Sequence, residues 1–315
     1  MRAGTSGFAI KLGIGGIGLL TTIASMAAMA QGVQASSSKI VAVGAENEYA
    51  NVIGQIGGRY VSVSAVESNP NTDPHTFEAS PAVAEVVSRA SLVVQNGVGY
   101  DSYMNKIEAA SPNPHRKVIV VLSLLGLPSD TKNPHLWYKP VTMPAVARAV
   151  AHDLADFDPA HASYFHSRAS AFDKSLTPWL NDIAAVKKEF PHPTVAVTEP
   201  VGDYMLNAVG ANILTPWSLQ ADIMNGVDPS PQDVSTEQNL FNQHHVKVFL
   251  YNQQVTDSLT ASFLSLAKHD HIPVVGVYET MPTPGYDYQS WMLAEVNALK
   301  AALQHQKSTV SLLSK

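Results

Sequence analysis

Residues 61–75 read Val-Ser-Val-Ser-Ala-Val-Glu-Ser-Asn-Pro-Asn-Thr-Asp-Pro-His and join a short β-type run to a turn that ends in histidine. The run 61–66 is predicted as a strand, and the Asn, Asp and Pro residues behind it as a loop. A second Pro-His step, Asn133-Pro134-His135, follows the predicted strand 118–122. Two imidazoles therefore come after the ends of two strands, each behind a proline that restricts the turn before it.

The same alternation of short apolar runs and helical runs continues along the chain. Ser80-Pro81 and Ser230-Pro231 are typical helix starts, because serine caps the helix and proline suits its first position. Alternating strands and helices predict an α/β fold with parallel sheets that carry helices on both faces. Ligands of such sheets bind beyond the carboxyl ends of the strands. The other predicted strands are 40–43, 92–95, 194–197, 246–251 and 274–278.

A long helical stretch separates the two halves of this pattern. After a helix over 144–157, residues 159–190 contain no glycine and one internal proline, Pro178. About 30 helical residues at roughly 1.5 Å each would reach about 45 Å. We expect this stretch to run as a brace from one lobe to the other, with a kink near Pro178.

The chain has 315 residues, enough for two domains, and a net charge of −6, which provides no basic surface for nucleic acid. Residues 1–35 are predicted as a cleaved signal peptide, with a small-x-small site at 28–30 or 33–35, although the apolar stretch could also serve as an anchor. We therefore expect a periplasmic protein with an N-terminal α/β lobe over 36–143, a helical linker over 144–192 and a C-terminal α/β lobe over 193–315.

Two glutamates occupy strand ends in the second half, Glu199 after 194–197 and Glu279 after 274–278. A carboxylate at the end of an apolar strand is costly to bury without a partner, and a cation would supply one. Each histidine alone is more often an ordinary loop residue, but His75, His135, Glu199 and Glu279 together predict a divalent-metal site. The chain contains no cysteine, so such a site uses imidazole and carboxylate, and lipid attachment through cysteine is excluded. His269-Asp270-His271 is a weaker candidate.

Four motifs resemble the zinc/manganese substrate-binding proteins of bacterial ABC importers: residues 71–78, 133–137, 198–200 and 275–282. The resemblance covers about 39–304. It implies two α/β lobes, each a parallel sheet flanked by helices, joined by one long rigid helix with the metal site between them. It implies His75 and His135 as ligands from the first lobe and Glu199 and Glu279 as ligands from the second, although aspartate is more usual than glutamate at the last position.

The implied function is capture of Zn²⁺ or Mn²⁺ as cargo, without catalysis, by a monomer that delivers the ion to a permease in the inner membrane. A metallochaperone could load the site. Two carboxylates favour the harder Mn²⁺, whereas the general order of affinities favours Zn²⁺, so both ions stay open. Two alternatives are a metallohydrolase, although no His-Glu-x-x-His motif is present, and a two-lobed binder of an organic ligand such as a siderophore or haem.

Overall fold

A computed structural model of the protein describes residues 39–71 and 73–313, so the predicted signal peptide lies outside the described residues. These residues form two four-stranded sheets in which every strand pair is parallel. The first has the order β2-β1-β3-β4 and the second the order β6-β5-β7-β8. The strands are β1 Ile40–Glu46, β2 Val61–Glu67, β3 Leu92–Gln95, β4 Lys117–Val120, β5 Thr194–Val197, β6 Asn212–Ile213, β7 Val248–Asn252 and β8 Val274–Val277.

Helices connect these strands, as the predicted α/β fold requires. Ser80 and Ser230 accept hydrogen bonds from the third backbone N–H of α2 and α10, each with proline at the helix start. None of the described helices combines the length and the apolar character needed to cross a membrane. The helices are α1 Asn47–Gly57, α2 Pro81–Ser88, α3 Ser102–Ala110, α4 Val121–Leu124, α5 Thr142–Phe157, α6 Ala162–Ser175, α7 Thr177–Glu189, α8 Asp203–Val209, α9 Trp217–Met224, α10 Pro231–Asn242, α11 Ser258–His269 and α12 Tyr288–His305.

The structure confirms the predicted fold class and refines individual elements. The predicted strand 118–122 ends at Val120, because α4 begins at Val121. The edge strand β6 and helix α9 were not predicted. A strand of two residues is too short to show a period of two, and its pairing to β5 depends on tertiary contacts. The lobe boundaries at 143 and 192 stay predictions, since the described residues form one compact unit.

The long helical stretch consists of two helices that meet at Leu176. Pro178 has no N–H to donate to the carbonyl oxygen of Lys174, and the Thr177 hydroxyl donates to that oxygen instead, at 2.7 Å. Helix α6 packs on α1 and α5 of the first half, whereas α7 packs on α8 and α12 of the second. The pair therefore extends from helices of one sheet to helices of the other.

Buried hydrogen bonds join the two halves of this unit directly. The hydroxyl of Tyr138 donates to the carbonyl of Tyr278 at 2.9 Å, and the hydroxyl of Tyr288 donates to the carbonyl of Trp137 at 2.6 Å. Because these donors and acceptors are buried, separating the halves would leave polar groups unpaired. The segments that they join lead into and out of the predicted ligands His135 and Glu279.

One buried carboxyl of α12 makes stability depend on pH. Oε1 of Glu295 accepts a hydrogen bond from the Trp291 indole at 3.0 Å and lies 3.2 Å from the Tyr138 hydroxyl oxygen, while Oε2 has no hydrogen-bond partner within the described part of the chain. Burial raises the pKa of Glu295 from 4.5 to about 8, and these contacts oppose the shift only in part.

Replacing Glu295 by Gln should make the protein relatively more stable at high pH. The stabilising proton on Glu295 is bound fully below pH 4.5 and is lost as the pH rises through about 8, whereas glutamine stays neutral. We expect the free energy of unfolding of Glu295→Gln, relative to the unmodified protein, to increase by roughly 2–4 kcal/mol from pH 5 to pH 9 in urea titrations. Glu85→Gln, whose side chain is 67% exposed, is the control. Parallel pH profiles for Glu295→Gln and the unmodified protein would contradict the prediction.

Candidate metal site

The loop after β2 holds His75 in a tight turn. The Asp73 carboxylate accepts a hydrogen bond from the backbone N–H of His75 at 2.8 Å, and Pro74 is the first residue of a 3₁₀ turn over Pro74–Thr76. Proline and the aspartate cap restrict the backbone before the histidine, so the imidazole has a defined direction. The His75 side chain is 23% exposed, which leaves this ligand candidate accessible from solvent.

His135 follows β4 and α4 and is fully buried. Oδ1 of Asn133 accepts a hydrogen bond from the His135 backbone N–H and lies 2.9 Å from ring Nδ1. The Asn133 amide N donates to the carbonyl of Pro200, so Oδ1 is the acceptor and Nδ1 of His135 carries the hydrogen. The remaining nitrogen, Nε2, is therefore the one that can bind a cation.

Glu279 joins the two histidines. Its Oε2 lies 3.1 Å from Nε2 of His75 and 3.1 Å from Nε2 of His135, and it also accepts a hydrogen bond from the Tyr100 hydroxyl at 3.1 Å. Ligand atoms of His75, His135 and Glu279 all lie within 4.8 Å of one another. The structure thus brings together three of the four predicted ligands, which come from loops after β2, β4 and β8.

Glu199 lies beside this group but outside it. Its side chain is buried, and its Oε2 accepts a hydrogen bond at 3.2 Å from the Asn252 amide, which also donates to Oε1 of Glu279 at 2.7 Å. Oε1 of Glu199 has no hydrogen-bond partner among the residues that the structure describes. One amide group therefore bridges two buried carboxylates, and Glu199 lies one side chain away from the three clustered ligands.

The pKa values of the clustered groups follow from burial and from their mutual contacts. Burial alone would raise the pKa of Glu279, but its contacts with the imidazoles of His135 and His75 lower it below its usual value. Burial would lower the pKa of His75, yet Glu279 raises it above the ordinary imidazole value. For His135 burial prevails and its pKa is lowered. In the metal-free site these contacts therefore favour a proton on His75 beside Glu279, at the place where a cation would be expected.

Asn252, Tyr100 and the buried carboxyls next to the site were not predicted from the sequence. Asn252 ends the buried strand β7, and an amide at that position was the signal that could have revealed it. Burial raises the pKa of Glu67 to about 9 and that of Glu48 to about 8, so both carboxyls are largely neutral at pH 7. No sequence pattern marks Tyr100, which reaches Glu279 only through the fold.

Two other candidate clusters are less suited to a metal. The His269 side chain is 82% exposed and pairs with Asp270, and no third ligand joins them in the part of the chain that the structure describes. His152, Asp153 and Asp156 lie close together on α5, but the Lys117 ammonium contacts both aspartates. A lysine in this position already neutralises the carboxylates.

Comparison with known proteins identifies the family of the chain. The family model described as "Zinc-uptake complex component A periplasmic" matches residues 43–302. The chain belongs to this family. A relative named manganese ABC transporter substrate-binding lipoprotein PsaA, from Streptococcus pneumoniae, is 20% identical over 260 residues, which cover 76% of this chain and 80% of the relative.

Other members show how far the likeness extends. A putative metal-binding protein of Thermotoga maritima is 24% identical over 170 residues, 54% of this chain, and the match spans only 61% of the relative's length. The solved structure of the periplasmic zinc binding protein TroA from Treponema pallidum superimposes with a TM-score of 0.72 at 16% identity, covering 84% of this chain and 99% of TroA. At this identity the superposition shows a shared two-lobed fold.

Replacing Asn252 by Asp tests the amide bridge between Glu199 and Glu279. Aspartate retains the oxygen that accepts from the backbone N–H of Gln254 at 3.0 Å, but it removes the donor to both carboxylates and adds a third acidic group. We expect the metal-free variant to lose about 1–3 kcal/mol of stability and saturating Zn²⁺ to restore much of it, measured by thermal unfolding. Asn239→Asp, at an exposed position of α10, is the control. Equal metal-free stability of Asn252→Asp and the unmodified protein would contradict the prediction.

Proposed function

We propose that the protein captures a divalent transition metal, Zn²⁺ or Mn²⁺, and delivers it to the membrane permease of an ABC importer. The observation that carries this proposal is the Glu279 carboxylate oxygen placed 3.1 Å from the Nε2 atoms of both His75 and His135. When the His135 ring is neutral and carries its hydrogen on Nδ1, Nε2 of His135 and the carboxylate oxygen of Glu279 are both hydrogen-bond acceptors. Their close approach is unfavourable unless positive charge lies beside them, which a proton on His75 would supply in the metal-free protein and a bound cation would supply otherwise.

The proposed ligands are His75, His135 and Glu279, with Glu199 as the fourth. Imidazole nitrogen and carboxylate oxygen are both common ligands of Zn²⁺. Support for Glu199 comes from its buried and unpartnered Oε1 and from the Asn252 amide that holds its other oxygen beside Glu279. Two imidazoles and two carboxylates would balance the charge of a divalent ion.

The donor set suits either of two metals. Carboxylate oxygens favour the hard Mn²⁺ more than a site rich in histidine or cysteine would, while Zn²⁺ exceeds Mn²⁺ in general affinity. The names of the relatives include both zinc and manganese. We therefore expect both ions to bind in vitro, and Zn²⁺ to bind more tightly.

Capture and release fit the site better than catalysis. The family is described as a component of metal uptake, and three of the proposed ligands are buried. A catalytic zinc site is typically held by three protein ligands with water at an open position and a general base beside it, whereas the proposed site supplies four ligands from loops of both halves. We propose that the protein works in the periplasm as a monomer, after removal of its signal peptide, with a permease and a metallochaperone as partners.

Substitution of single ligands tests the proposed site. We expect His135→Ala and Glu279→Gln to weaken Zn²⁺ binding at least about 100-fold, and Glu199→Gln to weaken it about tenfold or more. The measurements are calorimetric titration and the thermal shift caused by Zn²⁺ or Mn²⁺, with reversal by a chelator. Glu237→Gln is a matched control, because Glu237 is a buried carboxyl of the second half that bonds to Thr215 instead.

The results separate the ligand assignment from the function. The absence of a thermal shift with both Zn²⁺ and Mn²⁺ would rule out the proposed function. Unchanged affinity in Glu199→Gln would remove Glu199 from the ligand set without affecting the other three residues. A loss in Glu237→Gln as large as the loss in Glu279→Gln would indicate a general effect of disturbing buried carboxyls.

Metal affinity should fall as the pH falls. The pKa of His75 is raised, so at neutral pH part of the metal-free protein carries a proton that the metal must displace. Below that pKa the logarithm of the apparent affinity should decrease by about one per pH unit, and His135, whose pKa is lowered, should add a second proton only in more acidic solution. Calorimetry in buffers of different ionisation enthalpy would measure the released proton. His75→Ala should abolish most of that release, and affinity that does not change between pH 5.5 and 7.5 would contradict the prediction.

A further inference from the structure

A cavity of about 640 Å³ opens beside the proposed metal site and has His75 and Tyr100 in its wall. Helix α3 lines one side with Tyr103, and helix α9 of the second half lines the other with Trp217. Binding sites for small organic molecules have volumes of roughly 300–1,000 Å³. The cavity is therefore far larger than a single metal ion requires and is of the size that takes an organic molecule.

The charge of this cavity is opposite to the charge of the protein. The chain has 26 acidic and 20 basic side chains, yet the described residues that line the cavity include Lys106 and Lys132 and no aspartate or glutamate. Both lysines are exposed, and neither forms an ion pair or a hydrogen bond with the described part of the chain. A path for a bare cation would be expected to be acidic, because clefts attract ligands of the opposite charge. Two unpaired ammonium groups favour an anion.

Aromatic side chains supply the apolar part of the lining. Phe77, Tyr100, Tyr103 and Trp217 all contribute to the wall. The other three tryptophans of the chain are buried, whereas Trp217 is 36% exposed and belongs to a helix that faces the cavity. Exposed aromatic rings beside a few polar groups are typical of sites that bind the carbon skeleton of a small molecule.

We propose that the cavity binds a small polycarboxylate chelator, so that the cargo is taken up as a metal–carboxylate complex. The metal occupies the proposed site of His75, His135, Glu279 and Glu199. The chelator's carboxylates pair with Lys106 and Lys132, and its carbon skeleton packs on Trp217. This inference depends on the proposed function, because it requires a metal at that site. It goes further in naming the chemical form of the cargo.

Coordination chemistry agrees with such a complex. Three protein donors lie within 4.8 Å of one another, and His75, one of them, forms part of the cavity wall. With Glu199 as the fourth proposed ligand, a chelator with two donor atoms would raise the total to six, the coordination number of octahedral Mn²⁺ sites. Its negative charge would be repelled by the acidic protein as a whole, and the two lysines would offset that repulsion locally.

The test is equilibrium dialysis with radiolabelled citrate and radiolabelled dipicolinate, each with and without Zn²⁺ or Mn²⁺. We expect at least one chelator to be retained at one per protein and only when metal is present. The double variant Lys106→Gln/Lys132→Gln should bind the chelator at least about tenfold more weakly, the loss expected for a charge-assisted hydrogen bond, while its affinity for the metal alone changes less than about threefold. Lys174→Gln/Lys268→Gln, at exposed positions elsewhere, controls for net charge.

A second measurement uses Trp217 as a reporter. Because the other tryptophans are buried, acrylamide quenching of the intrinsic fluorescence reports mainly on Trp217. Quenching should decrease when the metal and chelator are added together, and should decrease less when either is added alone. Trp217→Phe should remove this change without altering the affinity for the metal alone.

Several results would overturn the proposal. If both chelators remove the metal and neither is retained, the cargo is the bare ion and the proposed function stands. Chelator retention without metal, or equal retention by the lysine variant and the unmodified protein, would also contradict it. If the protein binds neither Zn²⁺ nor Mn²⁺ in the absence of a chelator, the proposed function itself fails.

Discussion

A single carboxylate oxygen, Oε2 of Glu279, organises the centre of this protein. The side chain is fully buried, and an ionised carboxylate in such surroundings is costly unless positive charge or hydrogen-bond donors compensate it. The imidazoles of His75 and His135 and the Tyr100 hydroxyl all contact this one atom. Loops from both sheets must therefore converge for Glu279 to be buried at all, so the electrostatic need of one residue couples the two halves of the fold.

A proton and a divalent metal are alternative occupants of that centre. Glu279 favours the protonated form of His75 in the metal-free protein, and a metal ion would take over the same neutralising role with its larger charge. The neighbouring carboxyls Glu48 and Glu67 stay largely neutral near pH 7, since burial raises the pKa of Glu48 to about 8 and that of Glu67 to about 9. The site thus avoids an accumulation of negative charge that no single bound ion could balance.

Local sequence was sufficient for the parts of this arrangement that depend on short-range chemistry. Proline and an aspartate or asparagine cap determine the turns before His75 and His135, and apolar runs of four or more residues determine the strands, so both could be predicted. The sequence could not predict that Glu279 contacts the histidines while Glu199 lies beside them. Both residues follow similar strands, and only packing decides which one reaches the histidines. Lys106 and Lys132 share a cavity wall although no motif connects them. Features that arise where distant segments meet leave no periodic signal in the chain.

The ligands of the proposed site differ in how deeply they are buried, and this difference bears on how a metal enters. Buried hydrogen bonds from Tyr138 and Tyr288 cross between the halves, and α6 and α7 lie in tandem along both, so large separation of the lobes would break many contacts at once. His135, Glu199 and Glu279 are all buried within that framework. His75 differs, since its side chain is partly exposed and Asp73 caps the backbone of its turn. Among the four proposed ligands, His75 is therefore the one that a metal arriving from solvent would meet first.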